Sequence, residues 1–304
     1  MMKIGMMSFA HMHAYSYATQ LKKLPNVELV AVFDDDVERG QAAAERYGAK
    51  YFSDQDAFLA EDIDAVIICS ENSRHKEMVF AAAKAKKHIL CEKPIATNVK
   101  DAQEMIDICE QEGVILQIAY PVRFSSPIVL LKEKIDNGEL GDILAFRTTN
   151  RGQNPGGWFI DAEQAGGGAV LDHTVHMADI MRWYLQEEVV EVEAIVDSYF
   201  HDVEIDDAGL LTLKFGNGVI ASHDASWSRF DQFPTWGDVT IEVIGTKQTV
   251  YVDANKEHFR MYGTGPKSLT HVAFGNDMNY GLIKDFVNCV EEGREPSITG
   301  YDGL

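Results

Sequence analysis

Residues 3–24, KIGMMSFAHMHAYSYATQLKKL, place a short strand pattern directly before a helix pattern. Lys3–Met7 is a mainly apolar run of strand length. The residues after it repeat apolar side chains at helical spacing, on a face made of Ala14, Tyr17, Ala18, Leu21 and Leu24. A strand, a tight turn and a helix in this order are typical of the start of a doubly wound α/β domain.

The same alternation continues as far as Pro121. Strand patterns at VELVAVFD, DAVIIC, HILC and VILQIAY are separated by helix patterns. Apolar strands that alternate with helices predict a parallel sheet covered on both faces. We therefore predict an α/β fold whose residues 1–121 form a Rossmann-type dinucleotide-binding domain.

Beyond Pro121 the pattern changes. A helix pattern, a strand pattern, a glycine-rich loop and another helix pattern come first. They are followed by β-rich segments with short turns, among them VVEVEAIV, GLLTLKF, GVIASHDASW, DVTIEVIG and QTVYVD. Consecutive strands with short turns predict a mainly antiparallel sheet. We assign residues 122–304 to a second domain, of α+β type, and find no internal repeat in the chain.

Composition excludes several classes of function. The formal net charge of −21 over 304 residues opposes binding to nucleic acid or to an anionic membrane surface. No apolar run approaches the length of a membrane span, and the start lacks a signal-peptide pattern. The four cysteines show no C-x-x-C spacing, which indicates reduced, buried thiols and a cytoplasmic protein.

The first strand and helix also predict where a dinucleotide would bind. The fingerprint G-x-G-x-x-G falls on Ser8, Ala10 and His13, none of which is glycine, although the first two are small. Asp34 ends the second strand, where a carboxylate accepts hydrogen bonds from the adenosine ribose hydroxyls. A helix N-cap is the alternative role for Asp34. Two more aspartates follow, with no arginine to hold a 2′-phosphate, so we expect NAD rather than NADP.

Three stretches carry a resemblance to a known family. They are DAVIICSENSRHKEMVFAAAKAKKHILCEKPIA, YPVRFSSPIVLLKEKIDNGELGDI and GGGAVLDHTVHMADIMRWYL. These stretches resemble, in order, the motifs of the Gfo/Idh/MocA oxidoreductases, the group of glucose-fructose oxidoreductase and inositol dehydrogenase. The resemblance implies a Rossmann domain, an α+β domain with a large open sheet, and an active site between them. It also implies a homodimer or homotetramer joined through that sheet.

The chemistry of alcohol oxidation needs a base, a group that positions the oxygen, and a bound hydride acceptor. Asp172 and His176 are four residues apart in DHTVHMAD, hence on one helical face, and imidazole titrates near neutrality. By resemblance, Lys93 holds the reacting oxygen, His176 takes the proton and Asp172 orients the substrate or the base. The same motif suggests a cis peptide before Pro94. Each of these residues also has a purely structural alternative: N-cap, core histidine or surface lysine.

Further site residues follow from the loops that end the predicted strands and from the same resemblance. The expected cofactor-binding residues are Ser8, Phe9, Ala10, His11, Asp34, Ser70, Glu71, Asn72, His75, Glu92 and Lys93. The expected substrate-binding residues are Tyr120, Arg123, Trp158 and His173.

His11 and His13 form an H-x-H pair, which is also how a metal hydrolase can begin its site. That class requires a (β/α)8 barrel with further ligands on later parallel strands, and here the alternation stops near Pro121. The other histidines expected near the cleft are His75, His173 and His176. We expect His11 and His13 to line the cofactor cleft without a bound metal.

We interpret the sequence as an NAD-dependent oxidoreductase that acts on a secondary alcohol of a sugar, an inositol or a derivative. Two alternatives stay open: a non-catalytic NAD-binding regulator of the same fold, and an NAD-using lyase or glycosidase. Lys93, Asp172 and His176 disfavour the regulator.

Overall fold

The computed structural model describes residues 1–233, 235–256, 258–262, 269–273 and 276–304. Contacts divide the chain into two compact units. The first unit contains residues 1–121, 163–166 and 279–304, and the second contains residues 122–162 and 167–278. The sequence pattern placed everything after residue 121 in the second domain, whereas the structure groups the C-terminal residues with the first.

Six parallel strands form the sheet of the first unit, in the order β3-β2-β1-β4-β5-β6. They are β1 (Met2–Met7), β2 (Val27–Phe33), β3 (Lys50–Phe52), β4 (Ala65–Ile68), β5 (His88–Cys91) and β6 (Leu116–Ile118). The helices between them are α1 (His13–Leu21), α2 (Val37–Tyr47), α3 (Gln55–Leu59), α4 (His75–Lys84) and α5 (Val99–Glu112). The predicted parallel sheet is confirmed. Its order reverses between β1 and β4, the point at which such sheets bind ligands beyond their carboxyl ends.

Local sequence explains where these helices begin and end. Asp36 and Asn98 cap α2 and α5, each accepting a backbone N–H from the first turn. Gly48 and Gly113 end the same two helices in the left-handed conformation that glycine adopts without penalty. All four residues of β4 are buried, and all four, AVII, are apolar.

The second unit is built on a mixed, mainly antiparallel sheet, as predicted. Its elements are α6 (Ser126–Asp136), β7 (Ile143–Gly152), α8 (Ala169–Leu185), β8 (Val189–Asp197), β9 (Ala208–Phe215), β10 (Ile220–Ser226), β11 (Gly237–Gly245) and β12 (Thr249–Asp253); α7 (Ala162–Ala165) precedes α8. The strand order is β12-β11-β7-β10-β9-β8, and only the β7–β10 pair among these is parallel. Separately, β13 (His258–Tyr262) pairs antiparallel with β14 (Leu269–Ala273).

One face of this second sheet is buried under α8. Side chains alternate along the strands, so that every second residue of β9 is exposed and the others are buried. The core between sheet and helix includes Phe146, Leu211, Phe215, Ile241, Met177, Ile180 and Met181. The two periodicities, two in the strands and about 3.6 in the helix, thus meet in one apolar layer.

The end of the chain covers the open edge of the first sheet. It contains α9 (Met278–Glu292) and α10 (Gly300–Gly303). Ile118 in β6 donates its backbone N–H to Ile298, and Gln117 forms a β-bridge with Thr299. Across the described residues every helix is too short or too polar to cross a membrane.

Candidate active site

The loop after β1 keeps the fingerprint turn without its glycines. Ser8 has a φ of +70°, in the left-handed region that the first fingerprint glycine normally supplies. Its backbone N–H donates to Phe33 at 2.7 Å, and its Oγ accepts the N–H of Ala10 at 3.1 Å. Because α1 begins directly afterwards, the N-terminal end of the helix lies where a pyrophosphate binds in this fold. These residues therefore fit a dinucleotide.

Asp34 is fully buried just beyond the carboxyl end of β2, and its contact with a ribose stays a prediction. Its carboxylate accepts the N–H of Phe9 at 2.8 Å and two guanidinium N–H groups of Arg39 at 2.9 and 2.7 Å. Arg74 pairs with Asp35 at 2.7 Å. The expectation that no arginine lies at this position is therefore wrong. Arg39 lies in the first turn of α2, and its side chain reaches Asp34 from there.

The two histidines of the opening segment meet a carboxylate from a distant loop. Glu92 follows β5 and is fully buried. Its Oε1 lies 3.0 Å from Nδ1 of His13 and 3.9 Å from Nδ1 of His11, and its Oε2 accepts the N–H of Lys93 at 3.0 Å. Burial alone would raise the pKa of Glu92, but the charges of His11, His13 and Lys93 hold it well below its usual range.

The loop after β5 has the backbone expected from the family motif. The peptide between Lys93 and Pro94 is cis, and the lysine is 4% exposed. His75, at the start of α4, is fully buried and its Nδ1–H donates to the Pro94 carbonyl at 3.0 Å; burial lowers the pKa of His75. His75 thus holds this loop, and its expected contact with the cofactor stays a prediction.

The remaining cofactor candidates use their side chains inside the first unit. The ring of Phe9 is buried among aromatic neighbours. Ser70 donates its hydroxyl to the Glu71 carbonyl at 3.1 Å, and Asn72 donates its amide to the Ala165 carbonyl at 2.9 Å. All of them belong to loops at the carboxyl ends of β1 and β4, so their cofactor role stays a prediction that rests on position.

A glycine turn and an aspartate set the start of α8. Gly168 is the N-cap, and a Cβ added there would lie 1.8 Å from the backbone oxygen of Asp206. The Asp206 carboxylate accepts N–H groups of Gly168 at 3.0 Å and Val170 at 2.7 Å. Backbone and carboxylate together satisfy the first amides of the helix. Asp172 is therefore not the N-cap and is available for another role.

Asp172, His173 and His176 share the first two turns of α8. The Nδ1–H of His173 donates to the Asn150 carbonyl at 2.8 Å, which turns its Nε2 toward Asp172 Oδ2 at 3.3 Å. The indole N–H of Trp227 lies 3.4 Å from the same oxygen. His176 lies one turn along the helix and is 7% exposed. The predicted single face of Asp172 and His176 is thus present.

The other substrate candidates have structural partners. The guanidinium of Arg123 forms a buried ion pair with Asp179 of α8, with Nε 2.9 Å from Oδ2. Tyr120 is 1% exposed, and Trp158 stacks on Phe159 with ring centroids 3.8 Å apart. For these residues a substrate role stays a prediction.

Sequence reasoning missed Arg39, Trp227 and His223. His223 faces inward on β10, and its Nδ1 lies 2.8 Å from the hydroxyl of Thr148. Burial lowers the pKa of His223 to about 4, and His173 contributes to the shift. Of these three residues, only Arg39 could have been found from the sequence. It lies in the first turn of the helix that follows Asp34, and a side chain there can reach that aspartate.

Comparison with known proteins agrees with this geometry. Residues 3–120 match the model of the oxidoreductase family with an NAD-binding Rossmann fold, and residues 128–251 match the GFO/IDH/MocA C-terminal domain. A myo-inositol 2-dehydrogenase of Thermotoga maritima is 30% identical over 314 residues, covering 99% of this chain and 92% of that protein. A 1,5-anhydro-D-fructose reductase of Ensifer adhaerens is 30% identical and covers 91% and 85%.

Superposition on a solved structure agrees with these sequence matches. The crystal structure of a probable dehydrogenase from Thermotoga maritima superposes with a TM-score of 0.86 at 28% identity, covering 99% of this chain and 92% of that one. The chain therefore belongs to the Gfo/Idh/MocA family and is an NAD-binding oxidoreductase, as its motifs predicted.

Proposed function

We propose that this protein oxidises a secondary alcohol of a sugar, an inositol or a derivative of either. The observation that carries the proposal is the placement of Asp172 and His176 on one face of α8, directly after the glycine turn. Relatives about 30% identical over almost the whole chain are named for inositol and anhydrosugar substrates. A polyol presents the vicinal hydroxyl groups that such a pair of polar residues can hold.

The proposed roles separate binding from chemistry. NAD, when bound, supplies the hydride acceptor. His176 accepts the hydroxyl proton, Lys93 donates a hydrogen bond to the oxygen as its carbon becomes a carbonyl, and Asp172 orients the substrate. Asp172 is itself held by the indole N–H of Trp227 and by contact with His173. Preorganised partners of this kind reduce the cost of aligning the reacting atoms.

We further propose that NAD is preferred to NADP, with Asp34 as the discriminating residue. A 2′-phosphate would meet the carboxylates of Asp34, Asp35 and Asp36, although Arg39 already compensates the first. Calorimetric titration with both cofactors tests this. Asp34→Ala leaves Arg39 available for the phosphate and should narrow the preference, whereas Arg39→Ala should widen it. Equal binding of both cofactors by the unchanged protein contradicts the proposal.

A substrate screen tests the reaction itself. Purified protein with NAD is offered sugars and inositols, and NADH absorbance is followed. NADH formed with a polyol, and lost in His176→Ala, supports the proposal. Product formed without net NADH indicates the lyase alternative, and NAD binding without turnover on any member of the panel indicates the regulator.

We also propose that the outward face of the second sheet joins copies of this chain. Its alternate residues are exposed, and Ile195, Leu210 and Tyr251 are each more than half exposed. The opposite face is covered by α8, so the outward face is the one left for a partner. The size of the protein in solution, measured by light scattering for the natural chain and for Leu210→Arg, tests this.

We also propose that the protein works in a reducing compartment such as the cytoplasm. Cys69, Cys91, Cys109 and Cys289 are all free and buried. Burial raises the pKa of Cys109 to about 12 and of Cys289 to about 11, so these thiols are protonated and unreactive.

A further inference from the structure

We propose that His11, His13 and Glu92 form a binding site for one divalent transition-metal ion of the zinc class. Neither the family match nor the proposed reaction assigns a metal to this chain. The proposal concerns a site at the carboxyl ends of β1 and β5, within the first unit alone.

The three side chains have the spacing that a metal requires. One ligand atom from each lies within 4.8 Å of the other two. A zinc ion with bonds of about 2.0–2.2 Å separates neighbouring ligand atoms by about 3–3.5 Å. The observed separations from Glu92 Oε1, 3.0 Å to His13 and 3.9 Å to His11, bracket this range. No other three such donors among the described residues come this close together.

The donor set selects the kind of cation. Two imidazoles and one carboxylate suit zinc, iron, nickel or copper, whereas calcium and magnesium prefer oxygen ligands alone. The set also leaves coordination positions for water or another ligand, as in sites with three protein ligands. The expectation of no metal rested on the absence of later barrel-strand ligands, and the third ligand comes instead from the loop after β5.

Charge favours a cation at this place. Glu92 is fully buried, and a carboxylate buried in this way needs a positive partner. In the structure the nearest partner is Nδ1 of His13, which lies at hydrogen-bond distance, 3.0 Å, from the carboxylate. Nδ1 of His11 accepts the backbone N–H of His13 at 3.1 Å, which fixes the orientation of the ring. A metal would replace both hydrogen bonds with stronger bonds to the same atoms.

Zinc titration of the chelator-treated, full-length protein tests the proposal. Calorimetry should show one equivalent bound, and Co²⁺ should give the visible absorption of a protein-bound ion. Loss of an outer partner typically weakens metal binding by about 10–100-fold. Loss of a direct ligand in Glu92→Gln, His13→Ala or His11→Ala should therefore weaken it by about 100-fold or more.

Two control variants make the result specific. His88→Ala removes a histidine of the same unit outside the trio, and His173→Ala removes the one paired with Asp172. Both should bind zinc as the natural chain does. Circular dichroism confirms folding of each variant, and if Glu92→Gln fails to fold, His11→Ala decides.

Absence of a one-equivalent site, or a site that survives in every folded trio variant, overturns the proposal. In that case His13 and Glu92 form a direct hydrogen-bonded pair. NAD titration of the metal-free protein is measured separately, so failure of the metal site leaves the oxidoreductase function to its own test.

Discussion

The loop after β1 and the turn before α8 both need special backbone geometry, but only the second depends on glycine. At Ser8 the requirement is a dihedral angle, which serine adopts at φ +70° with its hydroxyl bonded to Ala10. At Gly168 the requirement is space, because the Asp206 carbonyl occupies the place of a Cβ. Glycine spacing in a sequence is therefore a strong guide where backbones touch and a weak one where a turn only has to close.

The largest expected effect tests whether the loop after β1 and the start of α8 have different tasks. If α8 carries the chemistry and the first loop carries the cofactor, His176→Ala should lower turnover by about 10²–10⁴-fold and leave NAD affinity unchanged. The acidic limb of the pH–rate profile should also disappear, because it reports protonation of the base. Steady-state kinetics on a substrate found by the screen measure both.

Asn98→Ala serves as the control for this variant, since it removes only a helix cap in the first unit. Near-normal turnover in His176→Ala, with the acidic limb retained, would give the base role to Asp172 or to water.

The lack of room for a side chain at Gly168, in the turn before α8, predicts the next effect. Gly168→Ala should lower the free energy of unfolding by about 2–3 kcal/mol, because the added methyl must displace the Asp206 backbone. Gly48→Ala is the matched control, since nothing lies within 4 Å of its added Cβ and only the left-handed φ is strained. Chemical denaturation measures both. A smaller loss at Gly168 than at Gly48 would remove the distinction between space and dihedral angle.

The charged groups around Glu92 predict that the stability of the fold depends on pH. The pKa of Glu92 is lower in the folded protein than its ordinary value of 4.5. Unfolded chains therefore bind more protons below that pH, so ionised Glu92 stabilises the fold fully above about pH 4.5 and this contribution is lost as the pH falls.

We expect a contribution of about 1–2 kcal/mol, reduced by the partial exposure of His13. Denaturant unfolding across acidic pH measures it, with Glu92→Gln as the comparison. A slope equally steep in Glu92→Gln would assign the acid sensitivity to other carboxylates.

The smallest effect concerns Ser8 itself. Ser8→Val places a β-branched side chain at φ +70° and should cost about 1 kcal/mol. Ser8→Gly relieves the strain but loses the Ala10 hydrogen bond and adds unfolded-state entropy, so its net effect should stay within about 0.5 kcal/mol. Thermal unfolding of both variants measures the difference. A valine variant as stable as the glycine variant would show that this turn tolerates any side chain.

The sequence predicted those features that depend on neighbours along the chain. The βα alternation, the change near Pro121 and the start of α8 after Gly168 all follow from local periodicity and turn chemistry. The cis peptide before Pro94 came from the family motif, and the structure confirms it.

Features that depend on distant pairings were not predictable in the same way. His13 and Glu92 are 79 residues apart, and no local pattern indicates that their loops meet. The parallel β7–β10 pair and the return of residues 279–304 to the first unit likewise arise from tertiary packing. The arginine beside Asp34 is five residues along the chain, and only the turn of the chain into α2 brings its guanidinium back to the strand end.

The return of the chain to β6 has a consequence for biosynthesis. The first unit's sheet is complete by residue 118, yet the segment that covers its edge, residues 298–303, is translated only after the whole second unit. At about 5–20 residues per second, the ribosome needs roughly 10–30 s to add the intervening second unit. During that interval β6 of the nascent first domain lacks the segment that pairs with it in the folded protein, and such an unpaired edge is open to pairing with other chains.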